Sequence, residues 1–359
     1  MIDFLVIGGG IAGVSAGARL SNLGKVVLLE AETALAYHTS GRSAAMFEET
    51  YGKPSTLVLN RASADYHFNA NGGVLSPRGL ILIGTADQKD EFEHDFALMN
   101  MNRISAEEAR EIVPILNTDV LTDFAQHDEA WDIDTDRLIQ NFAREIRANG
   151  GQVLTGQKVA AITRTANGWQ VRTADKDFEA KTLVNAAGSW ADQIAAMAGI
   201  EPIGLQAYRR SMARIPAPGG HDVSGWPMTY GAGETWYAKP DAGALLVSPA
   251  EEDPMDPFDA WPEDMVLAEG LAKFEAVTTE PVTRLISSWA GLRTFVPDRC
   301  LVLGPDPTDR SFVWSAGQGG YGFQTAPAAS ALVAALVSGT QPEIDDDTVR
   351  QLWPDRLRG

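Results

Sequence analysis

An α/β chain of two interwoven domains, one built on a β-α-β unit and the other on a mixed sheet, is predicted by three observations. The 359 residues exceed what a single hydrophobic core usually serves. The N-terminus opens on an apolar strand, a glycine-rich turn and a helix. Between Pro202 and Pro297 the pattern turns β-rich and carries hairpin signals.

Each element follows in order. Phe4 to Ile7 is a short apolar strand, Ile11 to Leu23 a helix of small and apolar residues closed by Gly24, and Val26 to Leu29 a second strand ending at Glu30. From Phe47 to about Ala130 short runs and polar helices mix. Asp134 to Ala148 reads as an amphipathic helix capped by Asp134 or Thr135, with Leu138, Ile139, Phe142 and Ile146 on one face and Asn149-Gly150-Gly151 as its stop. Strands are expected at Gln152 to Leu154, Lys158 to Thr163, Gly168 to Thr173 and Thr182 to Asn185. Trp236 to Ala238 and Leu245 to Val247 flank Lys239-Pro240-Asp241-Ala242-Gly243 as a hairpin, and Glu251 to Glu263 reads as a surface loop. Strands at Cys300 to Leu303 and Phe312 to Trp314, then a helix from about Thr325 to Ser338, complete the chain, with a loosely ordered tail after Gly339.

Composition narrows the function. A net charge of -19 repels nucleic acid and anionic membrane, so neither is expected as a partner. The single cysteine, Cys300, excludes an intrachain disulfide and fits a reducing compartment. No signal peptide and no membrane span are read, so a cytoplasmic protein, monomer or homodimer, is expected. His67, His94, His127 and His221 lack metal-ligand spacing and are expected to be surface or structural.

Gly8, Gly10 and Gly13 form G-x-G-x-x-G between strand and helix. Gly8 makes the tight turn, Gly10 admits a pyrophosphate to the backbone, and Gly13 lets helix and sheet close. The helix N-terminus offers N–H donors to the anion, and Glu30 suits an adenosine ribose and disfavours a 2′-phosphate. Three further segments point to a flavin rather than a nicotinamide. The small, polar run His38, Thr39, Ser40, Gly41, Arg42, Ser43, Ala44, Ala45 can lie along a ring system. Leu183 to Gly188 is a strand running into the small residues Ala187 and Gly188. Gly317 to Gly322 precedes a helix whose dipole opposes negative charge on a reduced ring.

With YHTSGRSAA, LVNAAGSWAD, GLQAYRRS, YAKPDAGALLVSPAEEDP, WAGLRTFVPD and GQGGYGFQT, the chain resembles the FAD-dependent D-amino-acid oxidase superfamily, and within it most nearly the bacterial D-arginine dehydrogenases. The resemblance implies non-covalent FAD in a Rossmann-like, glutathione-reductase-type domain (1–46, 131–200 and 296–359). An α+β substrate domain on a mixed sheet (47–130 and 201–295) is interleaved with it. It also places Ala12, Ala31, Met46, Val159, Gly319, Gly320, Tyr321, Gly322, Phe323 and Gln324 along the cofactor, and a quinone or O2 as electron acceptor.

An amino-acid substrate needs its carboxylate gripped while its Cα–H faces flavin N5, and guanidinium groups suit carboxylates because they present two parallel donors. Arg210 and Arg293 lie in apolar strand context and match the carboxylate-binding arginines of the family, with Arg209 able to take the part of Arg210. Tyr237 and Tyr51 match tyrosines that close over the carboxylate, although packing alone also explains them, and the Gly320 carbonyl matches an acceptor for the substrate amine. Two departures bear on specificity. Met46 stands where the relative has a lid histidine, and Leu80 where it has a guanidinium-binding glutamate. Glu48, beside Glu49, either transfers that charge across the pocket or is a solvated lid residue; the second is favoured, with an apolar pocket for D-Leu, D-Met or D-Phe. Alternatives are a secondary amine such as sarcosine or D-proline, a 2-hydroxy acid, a non-catalytic FAD-binding subunit and an NAD-dependent dehydrogenase.

Overall fold

The computed structural model describes residues 1–358. The elements that matter to the site are, in chain order, β1 (Ile2–Ile7), α1 (Ile11–Leu20), β2 (Val26–Leu29), α2 (Pro54–Asn69), α3 (Thr135–Ala148), β3 (Asp177–Asn185), β4 (Gln206–Pro216), β5 (Tyr237–Asp241), β6 (Ala244–Ser248), β7 (Ser287–Phe295), β8 (Phe312–Ala316) and α4 (Gly322–Ser338).

The first sheet has eight strands, with β3, β1 and β2 parallel neighbours and β8 parallel to β3 on its other flank. Strand alternation sends Phe4 and Val6 of β1 into one core and Leu5 and Ile7 into another, so helices and loops cover both faces. The amphipathic helix α3 buries Leu138, Ile139, Phe142 and Ile146, and Asp134 caps it by accepting from the Arg137 N–H at 3.0 Å. Helix α1 stops at Leu20, earlier than the pattern suggested, and Ser21 rather than Gly24 caps it. Gly24 is small for another reason, since a Cβ there would lie 2.9 Å from the Asp3 side chain.

The second sheet has nine strands, nearly all antiparallel, with β4 near one edge, between β6 and β7. One parallel pair, Leu80–Thr85 beside Met228–Gly231, makes it mixed. The β5–β6 hairpin turns on two residues, Ala242 (φ 46) and Gly243 (φ 76), so Lys239 and Pro240 belong to the strand and not to the loop. The segment after Glu251 is likewise more ordered than a loop, because Asp253–Met255 pairs with β4.

Helix α4 begins at Gly322, before the expected Thr325, and contains Pro327. Proline interrupts the helical ladder, and α2 takes up the slack. Ser63 accepts from the Ala328 N–H at 3.1 Å, and His67 Nε2 lies 2.9 Å from the Gln324 carbonyl, to which it donates. Burial pulls the pKa of His67 down to about 4, so it serves there as a neutral donor. The tail is not loose. Asp346–Leu352 is a helix capped by Asp345, Leu352 is fully buried, and Arg358 pairs with the buried Asp306 at 2.7 Å. A carboxylate with no exposure needs such a partner, and the tail supplies it.

Candidate active site

One continuous cavity of about 670 Å³ runs from the turn after β1 to the faces of β4 and β7. Backbone shape defines its first end. Gly8 has φ 110, and a Cβ on it would sit 2.2 Å from the Ala186 carbonyl oxygen. A Cβ on Gly13 would approach the Gly8 carbonyl to 1.9 Å, so Gly13 shapes the turn from outside the cavity while Gly8 and Gly10 line it. Gly41 also lies behind the wall, with its Cβ position 2.2 Å from the Ala36 carbonyl. The buried Glu30 carboxylate accepts from the N–H groups of Gly9 (2.6 Å) and Glu32 (2.8 Å), which aims it at the cavity with lone pairs to spare. Ala12, Ala31, Val159, Ala187 and Gly188 line the same end.

Further along, Thr39, Ser40, Arg42, Ser43, Ala44, Ala45 and Met46 line the cavity from one side, and Gly319, Gly320, Gly322, Phe323 and Gln324 from the other. Several of these side chains brace the wall. Thr39 Oγ1 donates to the Leu292 carbonyl at 2.8 Å, and Arg42 donates to the Ala290 carbonyl at 3.0 Å and pairs with Asp259. Ser40 Oγ accepts from the Ile11 N–H at 3.0 Å. Both α1 and α4 begin at the cavity, each presenting the positive end of its dipole. A cradle that excludes Cβ atoms, a fixed carboxylate at the end of β2 and two helix N-termini fit a dinucleotide flavin in an extended pose.

The other end is ionic. In antiparallel register Tyr208 faces Arg293 and Arg210 faces Gly291, so Arg210 and Arg293 are diagonal neighbours on one face of the sheet. Both line the cavity with Tyr237 and Met212. Arg209 points to the opposite face, paired with Asp253 at 2.7 Å and Glu263 at 2.8 Å, which removes it as a stand-in for Arg210. Burial opposes the charge on Arg293, but acidic groups around it, the Glu234 carboxylate among them, outweigh that and hold its pKa above the ordinary value. Gly320 packs on that guanidinium, its Cβ position 3.2 Å from Cζ.

Glu234 was not singled out by the sequence. Its Oε1 lies 3.3 Å from Arg210 Nη1, 3.4 Å from Arg293 Nη1 and 3.3 Å from the Tyr51 hydroxyl. Tyr51 and Tyr321 pack together with ring centroids 5.4 Å apart, and neither lines the cavity. Burial and the Glu234 carboxylate push the Tyr51 phenol up, which keeps it a neutral donor. Nothing in the Gly231-Ala232-Gly233-Glu234 string marks the residue; only the turn's left-handed backbone (φ 72 at Gly233, 54 at Glu234) delivers it to the arginines.

The lid differs from expectation. Glu48 is not solvated: it is 7% exposed, its Oε2 lies 3.0 Å from His127 Nε2, and its Oε1 accepts from the Thr50 N–H and hydroxyl. A buried carboxylate must be paired, and His127, reached from the far side of the second sheet's parallel pair, was invisible as its partner in sequence. Leu80 is buried in a cluster with Met46, Met212, Tyr230 and Tyr237, of which Met46, Met212 and Tyr237 reach the cavity. Among the described residues no group of three or more His, Cys, Asp or Glu is placed to hold a metal, and no helix is long and apolar enough to cross a membrane.

The family model described as FAD dependent oxidoreductase (DAO) matches residues 3–336. FAD-dependent oxidoreductase domain-containing protein 1 of Bos taurus is 24% identical, over 93% of this chain and 81% of its own length. L-2-hydroxyglutarate dehydrogenase of Escherichia coli O17:K52:H18 is 28% identical over 56% of this chain and 51% of its own length. The crystal structure of L-proline dehydrogenase from P. horikoshii superposes with a TM-score of 0.83 at 21% identity, covering 99% of this chain and 98% of that one.

Proposed function

The chain belongs to the FAD-dependent oxidoreductase family, with FAD as its cofactor, and on that premise we propose that it oxidises the Cα–N bond of a free D-amino acid with an apolar side chain. The observation that carries this reading is the pair of guanidiniums, Arg210 and Arg293, on one sheet face at the end of the cavity opposite the nucleotide turn. Two planar forks converging on one spot match the paired oxygens of a carboxylate.

When bound, FAD supplies the acceptor for a hydride from Cα. The chain's own residues orient and exclude. Arg210 and Arg293 hold the substrate carboxylate, Tyr237 walls the site, and the Gly320 carbonyl accepts from the amine. Catalysis then rests on orientation and fixed charge rather than on a general base, because the lone pair of the neutral amine drives hydride departure. The imine that leaves takes up water to give the 2-oxo acid and ammonia, and a quinone or O2 reoxidises the cofactor.

Met46, Met212 and the buried Leu80 support an apolar side chain. Glu48 faces His127 and Thr50 and does not line the cavity, which argues against a basic one. Oxidation of a secondary amine or of a 2-hydroxy acid is the second reading, favoured by the similarity to proteins described as L-proline dehydrogenase and L-2-hydroxyglutarate dehydrogenase. Anaerobic mixing of the FAD-loaded protein with D- and L-amino acids, sarcosine, D-proline and 2-hydroxy acids decides between them. Bleaching by D-leucine or D-methionine and not by their enantiomers is the expected result. Bleaching only by secondary amines or hydroxy acids would replace the first reading by the second.

A further inference from the structure

The clamp contains a carboxylate of its own. Glu234 Oε1 lies within 3.4 Å of one nitrogen on each cavity arginine. Behind it, Glu252 lies 3.4 Å from Arg210 Nη2 and 2.7 Å from Arg299 Nη2. Three guanidiniums thus face two carboxylates, an excess of one positive charge. Glu251 lies 3.8 Å from Arg209 Nε on the opposite sheet face and does not line the cavity.

We infer that Glu234 is a specificity-determining residue that limits the site to substrates with a single carboxylate. One incoming carboxylate neutralises the excess and takes guanidinium donors that Glu234 leaves free. A second carboxylate on a short substrate finds no unmatched cation. It also stays within a Debye length, about 8 Å, of Glu234, whose Oε1 reaches both cavity arginines. The backbone supports a dedicated role. Glu234 holds φ 54, a conformation that side-chain-bearing residues rarely adopt, with Gly233 before it anchored through its N–H to Asp95 at 2.8 Å. The turn therefore holds the carboxylate, itself one-third exposed, against both arginines.

This inference rests on the carboxylate-clamp reading above, so its test separates the two. Butyrate and succinate, equal in chain length and different by one carboxylate, are titrated into the FAD-loaded protein. Binding is followed by the change in flavin absorbance and by the rise in Tm, with no turnover required. Wild type should bind butyrate about tenfold more tightly than succinate, a like-charge penalty of ordinary size. In Glu234→Gln, with an unliganded Tm near that of wild type, the two affinities should come within about twofold, succinate gaining most. Glu234→Asp should retain the preference. Both anions binding, with the butyrate-to-succinate ratio unchanged in Glu234→Gln, would overturn the role of Glu234 alone. Neither anion binding to wild type by either readout would overturn the clamp reading and this inference with it.

Discussion

The two ends of the cavity are built by opposite means. At the nucleotide end the binding surface is backbone, and its glycines are required because Cβ atoms at Gly8 and Gly13 would fall 2.2 Å and 1.9 Å from carbonyl oxygens. At the substrate end the surface is charge, and Arg210, Arg293 and Glu234 meet only because β4 and β7 pair in one register and a left-handed turn brings the acid across. A backbone site tolerates little change in shape. An ionic site is assembled from distant segments and tolerates change in shape but not in charge.

That contrast breaks if either end responds to the other's mutation. The largest effect is expected from Gly13→Val, which forces the turn open; FAD affinity should fall about 100-fold or more, leaving a protein that purifies without flavin colour. Arg293→Ala should do the reverse. It should retain FAD at wild-type stoichiometry, yet lose about 3–5 kcal/mol of transition-state stabilisation in kcat/KM. Loss of flavin in this variant would show that the two ends are one structural unit.

A third test concerns the brace beneath α4. The folded pKa of His67 is depressed to about 4, below its unfolded value near 6.5, so the unfolded chain binds the extra proton first. Its stabilising contribution is complete above pH 6.5 and is lost as pH falls toward 4, by about 3 kcal/mol at most. Tm measured across this window should fall steeply in wild type and less in His67→Gln; parallel curves would contradict it. The smallest effect is expected from Glu48→Gln, which leaves His127 without its carboxylate. It should cost about 1–3 kcal/mol of stability while leaving KM for basic D-amino acids unchanged. A large rise in that KM would return Glu48 to the substrate.

Legibility in the sequence follows the same division. The β1-α1-β2 unit, its glycine spacing and Glu30 were readable because each rests on contacts among neighbours in the chain. Helix α3 was readable because its apolar period and Asp134 cap are local. Arg210 and Arg293 were identified by resemblance, but only the strand register separated Arg210 from Arg209. The Glu48–His127 pair, Glu234 and the tail's hold on Asp306 each join segments far apart in sequence, and no local pattern reports a distant partner. The order of the tail is hidden for a related reason: its composition is polar, while its Arg358 compensates a fully buried acid.

The central claim is that the ionic end aims a substrate's Cα hydrogen at the cofactor held by the backbone end. Its most direct test is a single anaerobic turnover of the FAD-loaded protein with D-leucine carrying protium or deuterium at Cα. The account predicts flavin bleaching that slows several-fold with deuterium. Equal rates with the two isotopologues, or no bleaching by any D-amino acid, would contradict it.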